Sequence, residues 1–108
     1  MEVVQPTLRH IVVLKYKESA SHSEIERVTE AFRALQHVIP GVESFEHGVN
    51  TSPENKAHGF THIYTLTFVS ADARDTYLPH PAHEAFGALL HQLDILEDVL
   101  VVDYVPLP

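Results

Sequence analysis

Three segments of this chain read as β-strands with apolar residues on both sides. Residues 8–16 place Leu8, His10, Val12, Leu14 and Tyr16 on one side and Arg9, Ile11, Val13 and Lys15 on the other. Residues 60–69 alternate Phe60, His62, Tyr64, Leu66 and Phe68 with the β-branched-rich set Thr61, Ile63, Thr65, Thr67 and Val69. Residues 99–105 set Val99, Val101 and Val105 against Leu100, Val102 and Tyr104. Strands of this kind need cover on both faces of their sheet. That requirement argues against a monomer with one sheet face in water.

The segments between them carry helical period or turn chemistry. Residues 21–39 repeat Ile25, Val28, Phe32, Leu35 and Ile39 at steps of three and four, one apolar stripe. Ser21 with Glu24, or Ser23 with Glu26, fits a capping box, and Pro40-Gly41 stops the helix. Residues 42–49 form a weaker strand, and 50–59 a polar loop long enough to suggest function or mobility. Ser70 caps a short helix over 71–78, Pro79 ends it, and Pro81 opens a second helix reaching about residue 96.

The order β-α-β-β-α-β is the ferredoxin-like α+β plan: a four-stranded antiparallel sheet with helices on one face. Residues 1–108 make one domain, with ends at 1–6 and 106–108 outside the regular elements. Ile11, Val13, Ile63 and Val69 then fall on the helix-free face. A second copy of the chain is the expected cover, giving a homodimer joined through that face as a closed barrel with helices outside.

Composition narrows the chemistry. There is no cysteine, hence no disulfide, thiolate nucleophile or Cys-ligated metal. Fifteen acidic residues against seven basic ones give a net charge of −8, which argues against nucleic acid as a partner. No apolar run suits a membrane helix and the first residues do not read as a signal peptide, so no membrane partner and a cytoplasmic location are expected. Histidine is in surplus: nine, more than Lys and Arg together.

The segments His10-Ile11-Val12-Val13-Leu14-Lys15-Tyr16-Lys17, Phe60-Thr61-His62-Ile63-Tyr64, Tyr77-Leu78-Pro79-His80-Pro81-Ala82-His83 and Val102-Asp103-Tyr104-Val105-Pro106 carry a family resemblance. The chain resembles the stress-responsive α/β-barrel (Dabb) domain proteins, of the dimeric α+β barrel superfamily, from about Leu8 to Pro106. The resemblance implies a small homodimer. The family includes plant stress-induced proteins and a plant polyketide cyclase that closes a ring by aldol condensation. Carried over by residue, the cyclase's acid–base pair falls on Tyr77 and His83, and its pocket histidines on His10 and His62.

The residues themselves leave three readings open. His10 and His62 lie on strand sides shared with Val12 and Leu66, and His83 follows Tyr77 across the Pro79–Pro81 connection, so one pocket lined by all four is plausible. There a neutral His83 would remove a proton next to a carbonyl, with Tyr77 orienting it or donating to the oxygen. Alternatively the histidines are hydrogen-bonded core residues of a non-enzymatic stress or structural dimer. A third reading is a metal- or haem-linked activity, using His80 and His83 with Asp75 or Glu84, yet that spacing supplies few ligands. No cofactor is expected. His80 reads as a turn residue, and His22, His37, His47, His58 and His91 as surface or rim positions.

Overall fold

The structure, a computed structural model, describes residues 5–108. The first four residues of the expected N-terminal tail lie outside the described residues. The order is β1 (Leu8–Tyr16), α1 (His22–Val38), β2 (Val42–Val49), β3 (His62–Phe68), α2 (Ala71–Tyr77), α3 (Pro81–Leu93) and β4 (Leu96–Tyr104). The four strands form one antiparallel sheet in the order β2-β3-β1-β4. This is the ferredoxin-like plan, with its second helix split into α2 and α3.

Local chemistry explains each boundary. Ser21 accepts from the Glu24 amide, and the Glu24 carboxylate accepts from the Ser21 amide, so the first of the two candidate capping boxes starts α1. Those bonds also hold the Glu24 carboxyl below its usual range. After α1 the chain turns at Gly41, whose φ of +92° is left-handed. A Cβ there would meet Ala73 at 2.7 Å, so glycine lets β2 start directly against α2. Helix α3 ends at Leu93, short of the expected residue 96. Asp94 takes a left-handed cap with φ 50°, which releases Leu96 into β4 although Leu96 still keeps helical spacing. Strand β3 starts at His62 because Phe60 instead bonds back to Ala57 in a turn.

The core lies on one side of the sheet. Leu8, Val12 and Leu14 from β1 and Tyr64, Leu66 and Phe68 from β3 pack under Val28, Phe32 and Leu35 of α1 and Phe86 of α3. An irregularity between Val42 and Ser44 rotates Val42 onto that side with Phe45. The helix layer stops short of β4, one of the two edge strands: Val99 and Val101 remain about half exposed on the helix side. On the opposite face Ile11, Val13 and Ile63 are partly exposed, and Leu100, Val102 and Tyr104 more so. None of the described helices is long and apolar enough to cross a membrane.

Candidate active site

The gap between the helix layer and β4 is a cavity of about 290 Å³. His10 and Val12 of β1 and Val101 of β4 line it from the sheet, and Phe32, His83 and Phe86 from the helices.

His10 is 5% exposed and is anchored across the sheet. Its register partner in β4 is Asp103. The His10 Nδ1–H donates to Asp103 Oδ1 at 2.6 Å, and Asp103 Oδ2 accepts from Arg74 Nη1 at 2.7 Å. Arg74 Nε donates in turn to Asp75 at 2.8 Å. These bonds, Asp103 first, push the guanidinium's pKa up. A carboxylate cannot donate, so the proton sits on His10 Nδ1 and the other ring nitrogen, Nε2, is left without a partner among the described residues.

His83 reaches the same state by a local route. His80 caps α3, its Nδ1 accepting from the Ala82 amide at 3.0 Å, and Pro81 begins the helix. His83 is then in the first turn, where its Nδ1–H donates to the Leu78 carbonyl at 2.9 Å. Its Nε2 is also unpartnered among the described residues.

Tyr77, the last residue of α2, lies against both imidazoles. Its ring centroid is 4.5 Å from that of His83, 6.0 Å from His10 and 4.9 Å from Phe68. The side chain is fully buried, and its hydroxyl has no protein hydrogen-bond partner among the described residues. Burial raises its pKa, so at neutral pH the phenol is a donor. Tyr77 therefore stands behind the two histidines rather than at the cavity surface. An unpaired buried hydroxyl costs about 1–3 kcal/mol and calls for an explanation.

His62 does not join these three, which corrects the expectation of one pocket lined by all four residues. It lines a second, open cleft of about 450 Å³ between α1 and the β2–β3 pair, with Glu26, Thr29 and His47. There its Nδ1 is hydrogen-bonded to Thr61 Oγ1 at 2.7 Å and its ring stands edge-on to Tyr16 at 4.9 Å. Burial, then the neighbouring His47, lowers its pKa. The physical reason for the separation is Tyr64, a fully buried ring between the two spaces. The alternation of β3 placed His62 on the correct side of the sheet, but side alone does not say which cavity a residue reaches.

His80 is the turn residue expected, with its capping nitrogen occupied. Among the described residues no three His, Asp or Glu side chains converge as a metal ion would require. His22 and His47, read as surface positions, line the second cleft. Asp103 was not singled out by the sequence reading. The available signal was its charge inside an otherwise apolar strand, a placement that asks for a partner.

The comparisons agree with this architecture. The stress responsive A/B barrel domain family matches residues 8–106. The stress-response A/B barrel domain-containing protein HS1 of Arabidopsis thaliana is 34% identical over 106 residues, covering 98% of this chain and 95% of that protein. Olivetolic acid cyclase of Cannabis sativa is 31% identical over 99 residues, covering 92% and 96%. The structure of hydroxynitrile lyase from Passiflora edulis superposes with a TM-score of 0.84 at 27% identity, over 94% of each chain. A dimeric ferredoxin-like protein of unknown function from Jannaschia sp. CCS1 superposes at 0.78 with 27% identity, over 93% and 99%. The chain belongs to the stress responsive A/B barrel domain family.

Proposed function

We propose that this protein is a homodimer whose protomers each bind a small carbonyl compound in the His10–His83 cavity and act on it by acid–base chemistry. The observation that carries the reading is the unpaired Tyr77 hydroxyl, buried against two imidazoles that each keep Nε2 free. In this reading His83 Nε2 takes a proton from carbon next to the carbonyl. Tyr77, behind the two rings in the free protein, donates to the oxygen as it becomes an enolate once the ligand seats between them, and His10, held by Asp103, orients the ligand. The enolate carbon then attacks a second carbonyl of the same molecule, closing a ring, and the new alkoxide takes back the proton from the His83 imidazolium. General acid–base help of this kind contributes about 10²–10⁴ in rate. His62, in its separate cleft, has no part in this step.

Two relatives support the class of chemistry. One is a cyclase and one a lyase of hydroxynitriles, and a base with a phenol donor suits both making and breaking a carbon–carbon bond beside oxygen. The dimer is supported by the partly exposed apolar residues of the helix-free face and by the dimeric ferredoxin-like relative.

The test is a thermal-shift screen of small ketones and 1,3-diketones, repeated on His83→Ala. Stabilisation by some of them that disappears in the variant supports the site. Equal stabilisation of both proteins, or none of the wild type, overturns it.

A further inference from the structure

We propose that the stacked pair Tyr64 and Phe32 is a partition that lets the His10–His83 cavity bury compact ligands only, leaving a long apolar tail no buried path. The proposal rests on the reading of that cavity as a ligand site.

One row of the sheet carries the argument. Across the four strands, Val101 pairs with Val12, Val12 with Tyr64, and Tyr64 with His47, all on the helix side. Val101 and Val12 line the first cavity, and His47 lines the second cleft. Tyr64 lies directly between the two spaces. Phe32, on the facing helix, stacks on its ring with centroids 5.1 Å apart and itself lines the first cavity. Floor and roof therefore meet at this pair.

The tyrosine is also held in place. Its hydroxyl is 2.8 Å from Thr29 Oγ1 on α1 and 3.0 Å from the Tyr16 hydroxyl. Tyr16 lies beyond Leu14 on β1, so the ring spans the next row of the sheet, where Leu14 pairs with His62. Both rows are thereby closed, and His62 is walled off. The bonds to helix and sheet oppose a rotamer change that would open the wall. About 290 Å³ lies on the near side, space for roughly ten water-sized groups at ~30 Å³ each, a single ring with short substituents. The side along the half-exposed Val99 and Val101 is open, so a longer tail passes there into solvent and gains no burial. Without the wall the cavity would run on into the cleft of about 450 Å³.

The probes are phenyl alkyl ketones from acetophenone to octanophenone, whose carbonyl suits the Tyr77 donor, with affinities read by calorimetry. In the wild type, affinity should rise over the first methylenes and then stop rising or fall. Tyr64→Ala should remove that limit, with gains continuing at about fourfold per methylene. Tyr64→Phe should keep it, because the ring and not the hydroxyl blocks the path. Phe32→Leu thins the same wall from the helix side and should lengthen the accepted tail even if Tyr64→Ala does not fold. Uninterrupted gains through octanophenone in the wild type overturn the partition. So does an unchanged limit in both Tyr64→Ala and Phe32→Leu while acetophenone still binds. If no ketone binds any of the proteins, the ligand-site reading itself fails and the partition fails with it.

Discussion

Replacing Tyr77 by phenylalanine separates stability from function. The Tyr77 side chain is fully buried and its hydroxyl has no protein partner among the described residues, so the folded protein carries a buried polar group without a protein hydrogen bond. Such a group costs about 1–3 kcal/mol. The ring's contacts with His83 at 4.5 Å and Phe68 at 4.9 Å do not involve the oxygen and survive the change. Tyr77→Phe should therefore unfold later than the wild type, by about 1–2 kcal/mol. For a domain of this size that is about 4–8 °C in Tm per kcal/mol. Function should move the other way. Loss of one donor to a developing oxyanion lowers kcat by about 10²–10³, and affinity for a neutral ketone by about fivefold. The assay is thermal and urea unfolding at a fixed protomer concentration, since assembly shifts apparent stability, with acetophenone titrations alongside. A variant that is less stable than the wild type refutes the reasoning, because the hydroxyl would then have a stabilising partner. A more stable variant with undiminished ketone affinity refutes the functional half.

Asp103→Ala should destabilise the protein by about 1–3 kcal/mol in urea, because it leaves the buried His10 Nδ1–H unpaired; Asp103→Asn, whose amide oxygen still accepts, should cost less. Ile11→Asp or Ile63→Asp should give monomers by sedimentation, since each buries an unpaired charge at the proposed joint; a dimer that survives both places the interface elsewhere. The lowered pKa of His62 has a definite sign. As pH falls through about 6.5 the unfolded chain takes up the proton more readily than the folded one, so stability drops, levelling once the folded imidazole is also protonated. Denaturation curves of His62→Gln should show a shallower fall than the wild type between pH 7 and 5, and parallel curves would count against it.

The sequence showed the fold more clearly than the site. Hydrophobic period and turn residues are local quantities, and they located every strand and helix to within a few residues. The α3 boundary was missed because Leu96 keeps helical spacing while the left-handed Asp94 cap, two residues earlier, has no strong signature outside glycine and asparagine. For the site, alternation placed His10 and His62 on the helix side, and the Pro-flanked turn placed Tyr77 beside His83. What alternation lacks is position along the strand and the volume of the neighbours. Tyr64 was read as one more apolar residue, yet its size and its two hydroxyl partners divide the space. Asp103 acquires meaning only through the β1–β4 register, which no local pattern encodes.

That register also dates the site within the life of the chain. His10 and Asp103 are 93 residues apart and meet only when β4 docks on β1. During synthesis, α1 and the first three strands leave the ribosome well before Asp103 does, so a nascent chain holds the His10 ring without its anchor. Such distant contacts form late, after shorter loops have closed. A chain cut before β4 could retain much of its helical and strand content and still lack the proton arrangement at His10. Competence at His10 thus reports that β4 has emerged and docked on β1.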